Sequence, residues 1–303
     1  MSTPHVHLPT VKQLRYFVAL AEHKHFGRAA AACFVSQSAF SIAIRELETV
    51  LGANLVDRTN RTVTITATGK EVAVLAKLCL QDLTSLTELA RGQSRPLEGP
   101  LQLGIIPTIA PFLLPRVLPA LRKSFAALKL FLHEDVTEQL HQQLLEGALD
   151  VVILALPYEL AGIESMELFT DRFRLAARAG TKLVDPEHYR FSRLNAGSVL
   201  LLREGHCLRE HAIDACKLQN TRTISRVSAS SLLTLIEMVD ADLGVTFLPE
   251  MAVGSALLQN TQVRTYPLGD RSYRTIALAW RRGSSRAKEF RTLGKFIAEH
   301  RER

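Results

Sequence analysis

The chain has 303 residues, 47% of them hydrophobic and 22% charged, which is typical of a globular protein with two or three domains. Four cysteines are too few for the disulfide framework of a small secreted protein, whereas a formal net charge of +7 favours a polyanionic partner. The first residues lack the basic start and apolar run of a signal peptide, and no apolar stretch is long enough to span a bilayer. We therefore expect a cytoplasmic protein with no membrane partner.

The sequence pattern changes near residue 95. Before it the pattern is helical with one short hairpin, and residues 1–95 carry 11 Lys and Arg against 7 Asp and Glu. The segment RGQSRPLEGP contains two glycines and two prolines, a composition typical of a hinge. After it, apolar strand-like runs such as LDVVILAL alternate with helical runs, which predicts an α/β region with a mostly parallel sheet.

Two helical segments follow each other closely in the N-terminal part. The first, FGRAAAACFV, is rich in small residues that let a neighbouring helix approach. Ser36 can cap the second, SQSAFSIAIRELETVLG, whose inward face should consist of Phe40, Ile44, Leu47 and Leu51. This pattern predicts a helix-turn-helix whose second helix enters the major groove of double-stranded DNA. A small helical bundle with solvated arginines is the alternative.

The outer face of the second helix carries polar side chains that suit DNA contacts. They are Gln37, Ser38, Ser41 and Arg45. Gln37 and Arg45 can read base edges, and the serines suit bases or phosphates. The next segment, NLVDRTNRTVTITATG, predicts a two-stranded wing with Arg58 and Arg61 at its tip, where they would meet phosphates or the minor groove.

A long helix is predicted to follow the wing. Its small and apolar residues recur at alternating spacings of four and three, which is the pattern of a coiled-coil seam. The seam consists of Val72, Ala76, Cys79, Leu83 and Leu86. Such a helix predicts a dimer that reads two DNA half-sites. Cys79 on the seam and Cys33 in the turn of the helix-turn-helix are expected to be packed rather than reactive.

Two cysteines, Cys207 and Cys216, lie nine positions apart in REGHCLREHAIDAC. A helix is predicted to begin at Cys207 and to point Cys216 towards the core. The helix N-terminus, together with His206 and Arg209, should favour the thiolate of Cys207. Three interpretations remain open: a redox pair, two unrelated buried thiols, or a zinc site with His206, Cys207, His211 and Cys216 as its ligands. The spacing matches no known zinc finger, and the residues alone do not decide between the other two.

The separation of these cysteines limits how they can react. Nine residues of helix rise about 13.5 Å, whereas a disulfide tolerates a Cα separation of at most about 6.8 Å. A bond between Cys207 and Cys216 would therefore require a helical segment to unwind, and oxidation would then act as a conformational switch.

A candidate ligand site lies where three predicted strands end. Thr108 follows LQLGIIP, Thr137 follows LKLFLHEDV, and His206 with Cys207 follows SVLLLREG. In open α/β sheets, ligands bind beyond the carboxyl ends of the strands. The hydroxyl groups suit a small polar ligand. The alternatives are a cap or turn role for each threonine and a structural hydrogen bond for His206.

Residues 12–65 resemble the winged helix-turn-helix of the LysR-type transcriptional regulators. The segments GIIPTIAPFLLP, FLHEDVTEQL, GHCLREHAIDAC, GVTFLP and YRTIALAW extend this resemblance over nearly the whole chain, and in particular to the peroxide-sensing members of that family. There are two modest departures. Ser38 stands where the family usually has proline, and Glu210 stands where the peroxide-sensing members commonly have aspartate.

The resemblance implies an α/β fold class with an N-terminal winged helix-turn-helix, a long linker helix and a C-terminal effector region. The effector region is expected to consist of two Rossmann-like α/β subdomains, similar to periplasmic binding proteins. The expected segments are 1–65 for the DNA-binding domain, 66–92 for the dimerising linker helix, 93–98 for the hinge and 99–303 for the regulatory domain, with subdomain I at 99–168 and 274–303 and subdomain II at 169–273.

The resemblance also implies a regulator, not an enzyme, that hydrogen peroxide switches by oxidising Cys207. The expected product is a Cys207–Cys216 disulfide that remodels residues 206–216. Promoter DNA, thiol reductants, RNA polymerase and further copies in a homodimer or homotetramer are the implied partners, with no cofactor or metal. The alternatives are a LysR-type regulator that binds a small metabolite, with incidental cysteines, and a thiol peroxidase.

A peroxide-binding set of residues is implied around Cys207. Its members are Thr108, Thr137, His206 and Arg274, which would stabilise the leaving hydroxide. A surface salt bridge is the alternative role for Arg274.

Overall fold

The computed structural model describes most of the chain, namely residues 7–59, 62–90, 96–159, 161–186, 194–215, 221–269 and 272–301. The chain divides into two compact units, Met1–Arg95 and Pro96–Arg303. The domain boundaries expected from the sequence are finer than this division and stay predictions. None of the helices in the described ranges has the length and hydrophobicity needed to cross a membrane.

The N-terminal unit is helical, with one short hairpin. Its elements are α1 (Val11–His23), α2 (Phe26–Ala32), α3 (Gln37–Leu51), β1 (Val56–Thr59), β2 (Thr62–Ile65) and α4 (Ala67–Ala90). The two strands pair antiparallel, with Val56 opposite Ile65. The predicted helix-turn-helix, wing and long helix are therefore confirmed.

The helix α3 begins and packs for reasons that the sequence contains. The Ser36 hydroxyl caps it by accepting the backbone N–H three residues on, at 3.3 Å. Phe40, Ile44 and Leu47 are fully buried in the core of the unit. Leu51 was predicted to pack with them but is 37% exposed, because it is the last residue of the helix and the chain turns away directly after it.

Phe34, in the turn between α2 and α3, combines high exposure with an unfavourable backbone. Its side chain is 93% exposed, and its φ of +59° lies in the left-handed region. That region costs a residue with a Cβ about 1–2 kcal/mol, whereas glycine adopts it freely. We expect Phe34→Gly to raise the free energy of unfolding by roughly 1 kcal/mol in urea denaturation. Phe34→Ala keeps the Cβ and should give no gain, so equal stabilisation by both changes would contradict this explanation.

The long helix α4 is only partly covered within the single chain. Ala76 is buried and Val72 half-buried, and α4 packs against α1. Cys79, Leu83 and Leu86, further along the predicted seam, are exposed. The seam and the dimer that would cover it stay predictions.

The C-terminal unit alternates strands and helices. Its elements are β3 (Gly99–Ile105), α5 (Ala110–Ser124), β4 (Leu128–Glu134), α6 (Thr137–Leu145), β5 (Val151–Leu156), β6 (Ile163–Arg178), β7 (Val199–Leu202), α7 (Cys207–Ala215), β8 (Ile224–Ala229), α8 (Leu232–Asp240), β9 (Thr246–Pro249), β10 (Val263–Pro267), β11 (Tyr273–Arg281) and α9 (Ala287–His300).

The larger sheet is mixed, so the prediction of a mostly parallel sheet was wrong. Its strand order is β10-β6-β11-β5-β3-β4, with β9 also paired to β6. The strand β3 is parallel to β4 and β5, but β11 is antiparallel to both β5 and β6. Local alternation of strands and helices could not predict this, because β11 comes from the far end of the chain and inserts between β5 and β6.

The long strand β6 connects the two halves of the unit. Its first part pairs with β11, and from Phe173 onwards it pairs with β9 and β10. One hydrophobic core surrounds β3, β5 and β11, and a second surrounds β7 and α8. A smaller parallel pair, β7 and β8, belongs to the second half. The loops that follow β3, β4 and β7 carry the candidate site.

Candidate functional site

Cys207 is the first residue of α7 and faces a narrow crevice. The chain leaves β7, turns at Gly205 with a φ of +93°, and enters the helix at Cys207. The crevice is lined by Ile106, Pro107, Thr108, Val136, Thr137, Gly205, His206 and Cys207. As the side chains stand, it has no free space for a water-sized molecule. The structure therefore brings together the three strand-end loops that the sequence suggested.

Arg274 lies in the interior next to this crevice. Its side chain is 1% exposed, and its Nε donates to Asp171 Oδ2 at 3.0 Å. The two terminal nitrogens donate to the hydroxyl and the carbonyl of Thr108, each at 2.9 Å. A surface salt bridge was the alternative expectation, and the burial of Arg274 excludes it.

Asp171 completes this buried network. It lies opposite Arg274 in the antiparallel pairing of β6 with β11 and also accepts the backbone N–H of Met251 at 3.1 Å. Burial raises the pKa of the Asp171 carboxyl, while Arg274 and the Met251 N–H oppose that shift. The carboxylate fixes the position of the guanidinium, which in turn holds Thr108.

The Cys207 thiol experiences opposing influences. Burial raises its pKa, and this is the largest effect. The Arg274 charge, the Thr137 hydroxyl and the backbone N–H groups of Cys207 and Leu208 at the start of α7 lower the pKa. The expectation that the helix N-terminus favours the thiolate is therefore correct in direction, but burial outweighs it.

The cation that acts on Cys207 is Arg274, which the family resemblance implied, and not Arg209, which the local sequence suggested. Arg209 donates to the Leu202 carbonyl at 3.3 Å and lies 3.6 Å from Glu210. Burial, followed by the charge of Arg203, lowers the pKa of His206, so this imidazole favours its neutral form. Arg274 supplies the positive charge instead, because the sheet brings it to the thiol from the far end of the chain.

Two polar atoms at the crevice are buried and have no nitrogen or oxygen partner within the described part of the chain. They are Thr137 Oγ1 and His206 Nε2. Thr137 is the first residue of α6, but the cap position belongs to Val136, which makes no side-chain cap bond, so the cap alternative for Thr137 is excluded. Buried polar groups without partners are rare, and at a crevice they suit a small ligand with hydrogen-bonding capacity.

His211, one helical turn after Cys207, is also buried. Its Nε2 lies 2.8 Å from the Pro157 carbonyl, and burial lowers the pKa of its imidazole. Across the described ranges, no group of three or more His, Cys, Asp or Glu side chains is arranged to hold a metal ion. Cys216 lies outside the described residues, so the full ligand set of the zinc hypothesis stays untested.

The outer face of α3 presents the side chains proposed for DNA contacts. Gln37, Ser38 and Arg45 are exposed, and Ser41 is half-buried. The hydroxyls of Ser36 and Ser38 lie 3.1 Å apart. Arg61 and the Arg58 side chain lie outside the described residues.

Comparison with known families matches both units. Residues 11–70 match the bacterial regulatory helix-turn-helix proteins of the lysR family, and residues 94–302 match the LysR substrate binding domain. The chain belongs to the LysR family. It is thus a DNA-binding transcriptional regulator with an N-terminal reader and an α/β effector region.

Similar LysR-type regulators span nearly the same length. The chain is 39% identical to the HTH-type transcriptional regulator EstR of Acinetobacter baylyi, over 93% of this chain and 94% of that one. It is 37% identical to the hydrogen peroxide-inducible genes activator of Dickeya chrysanthemi, over 96% and 95%. Among solved structures, a full-length OxyR from Pseudomonas aeruginosa with a cysteine-to-aspartate substitution is 34% identical, with a TM-score of 0.80 and coverage of 96% and 95%.

Sequence reasoning missed Asp171 and Met251 as members of the site of this LysR-type regulator. Asp171 offered one signal, since it is a charged residue within the strand-like run LFTDRFRLAA, where a buried charge requires a partner. Met251 offered none. Its sulfur lies 3.8 Å from Arg274, in a 3₁₀ turn after β9 whose position depends on the tertiary fold.

The rate of Cys207 oxidation should rise with pH. Because burial holds the pKa of this thiol above its ordinary value, the thiolate is a minor species near neutral pH. Its fraction, and hence the rate, should increase about tenfold per pH unit between about pH 6 and 8 without a plateau. Rapid-quench peroxide oxidation followed by peptide mass analysis would measure this.

The same measurement should distinguish the role of Thr137. Thr137→Val keeps the shape but removes the hydroxyl that lowers the pKa of Cys207, so oxidation should become several-fold slower at each pH. A plateau below about pH 8 in the unsubstituted protein would contradict a raised pKa.

Proposed function

We propose that this LysR-type regulator senses hydrogen peroxide through Cys207, and that oxidation of this thiol changes how the protein binds promoter DNA. One observation carries the proposal. A thiol at a helix N-terminus faces a crevice that Thr137 and His206 also line, and the buried guanidinium of Arg274 lies next to it. Within the described residues, Thr137 Oγ1 and His206 Nε2 have no nitrogen or oxygen partner. The similarity to proteins named as hydrogen peroxide-inducible genes activators supports it.

The chemistry begins with attack by the Cys207 thiolate on one peroxide oxygen. The O–O bond breaks, a sulfenic acid forms on Cys207, and the departing hydroxide takes a proton to become water. Arg274 favours the thiolate electrostatically. Thr137 and His206 line the crevice, where they would hydrogen-bond to the peroxide and to the departing oxygen, and Thr108 is held in place by Arg274.

A disulfide with Cys216 is the proposed product. The Cys216 thiol would attack the sulfenic sulfur and release a second water, so that one peroxide oxidises two thiols to one disulfide. The helix α7 runs from Cys207 to Ala215, directly before Cys216, and is anchored by the buried Leu208 and by the bond from His211 to Pro157. A disulfide would require α7 to unwind and break these contacts.

The change would reach DNA through the assembly of the regulator. We propose that the seam on α4 joins two chains, in a homodimer or homotetramer, and that rearranged effector regions alter the half-site spacing. The outer face of α3 would read bases, with Arg58 and Arg61 of the wing on the backbone or minor groove. Thiol reductants would reset the switch, and RNA polymerase would be the partner at the promoter.

A non-reducing peptide map tests this function. After brief treatment with low peroxide and alkylation, trypsin should release EGHCLR and EHAIDACK joined by a disulfide. A single added oxygen on EGHCLR would support sensing through Cys207 but contradict the disulfide. If both peptides carry only alkylated thiols in excess peroxide, the sensing function is wrong.

A small-molecule effector is the second candidate. It is favoured by the 39% identity to EstR, whose name refers to no peroxide. The crevice has no free space even for a water-sized molecule, so it would have to open further for a metabolite than for peroxide, and the cysteines would be incidental. A DNA footprint that shifts with a metabolite and not with peroxide would support this candidate.

A thiol peroxidase is the remaining alternative. Sustained turnover of peroxide with a reductant would indicate it.

A further inference from the structure

Ile42 is an exposed apolar side chain on an otherwise polar helix face. The residues Ser38, Ile42, Arg45 and Thr49 follow at spacings of four, three and four, so they form one stripe along α3. Ile42 is 52% exposed, whereas its neighbours Ala43 and Ile44 belong to the buried face. Folding of the chain therefore leaves most of this apolar surface in water.

Single exposed apolar side chains are common and by themselves need no explanation. Ile42 differs in its position. It lies in the second helix of a helix-turn-helix that matches the lysR family over residues 11–70, and the outer face of that helix is the surface that enters the major groove. Ile42 is the sixth residue of α3, within the N-terminal half, where such helices contact bases.

We propose that Ile42 recognises the C5-methyl group of a thymine in each half-site. The methyl is the one apolar group that base edges present in the major groove. Every other group there is a hydrogen-bond donor or acceptor, and contact with Ile42 would remove its bond to water without providing a new one. The β-branched side chain has essentially one rotamer in a helix, so its methyl groups occupy a defined position. The inference rests on the proposed role of α3 as the DNA reader.

The polar side chains next to Ile42 are either engaged within the protein or suited to groups other than the thymine methyl. The Thr49 hydroxyl donates to the Arg45 carbonyl at 2.9 Å, so its proton is occupied. The Glu46 carboxylate accepts from Gln13 at 3.4 Å. Arg45 is a long cation that reaches guanines or phosphates. Ile42 carries no charge, so its contribution should not depend on salt, whereas that of a phosphate-bound Arg45 should.

The test uses the full-length protein and DNA sites that it selects from a pool of randomised duplexes. The selected duplex is synthesised again with deoxyuridine in place of each thymine in turn, which removes only the methyl. At one thymine per half-site we expect wild-type binding to weaken about fourfold, the loss of one buried methyl contact. Ile42→Ala should bind both duplexes equally, and Ile42→Val should keep the preference for thymine.

The variants separate the possible failures. Ile42 is exposed, and alanine forms helices better than isoleucine does, so Ile42→Ala should not impair folding. Indifference of the wild type to every substitution, or an unchanged preference in Ile42→Ala, would overturn the inference. Arg45→Ala should weaken binding to all duplexes and reduce the salt slope by about one. If it has no effect, the proposed reading role of α3 fails as well.

Discussion

Replacing Arg274 with alanine is expected to lower the free energy of unfolding of the C-terminal unit by about 3–5 kcal/mol. The change leaves the Asp171 carboxylate buried without the cation 3.0 Å away. It also removes the two donors to Thr108. The single tryptophan, Trp280, lies in the core of this unit, so its fluorescence during urea denaturation of the full-length protein measures the loss.

Two controls show whether burial causes this effect. The pair Arg291–Glu164 has similar chemistry, but its side chains are 54% and 37% exposed. Arg291 also lies over the Trp280 ring, 5.2 Å from its centroid, so Arg291→Ala should cost no more than about 2 kcal/mol and is followed by circular dichroism rather than fluorescence. Combining Arg274→Met with Asp171→Leu removes both buried charges and should cost less than Arg274→Ala alone. A loss in Arg274→Ala no larger than that in Arg291→Ala would contradict a stabilising buried pair.

Cys207→Ser is expected to abolish the response of the DNA footprint to peroxide. Serine keeps the size of the side chain at the start of α7 but cannot form a sulfenic acid or a disulfide. The affinity of the untreated protein for DNA should stay within about twofold, because serine has nearly the size of cysteine and should leave α7 folded as in the reduced protein. Footprinting before and after low peroxide, on DNA selected by the protein, measures both quantities.

The other cysteines provide matched controls. Cys33 is buried in the N-terminal unit and Cys79 is exposed on α4, and serine at either position should leave the response intact. A response that survives in Cys207→Ser but is lost in Cys79→Ser would place the sensor on the linker helix and refute the proposed function. Cys216→Ser distinguishes the products, because a response that persists in it indicates a sulfenic acid on Cys207 without the disulfide.

The sequence by itself determined the local elements of this protein. The Ser36 cap, the inward stripe Phe40–Ile44–Leu47 and the hairpin of the wing follow from spacing and side-chain chemistry over a few residues. The start of α7 at Cys207 and the location of Thr108 and Thr137 after strands follow in the same way. These features depend on hydrogen bonds and burial within one or two elements, which a short stretch of sequence encodes.

Only the tertiary structure decided the electrostatics of the site and the relative directions of the strands in the larger sheet. Arg274 reaches Thr108 because β11 crosses from the end of the chain to lie between β5 and β6, and the same pairing places Asp171 opposite Arg274. The net rise in the pKa of Cys207 has a similar origin, since burial outweighs the nearby charge and the helix N-terminus. Desolvation and buried ion pairs depend on which distant segments exclude water from a residue, and local patterns carry little information about those contacts.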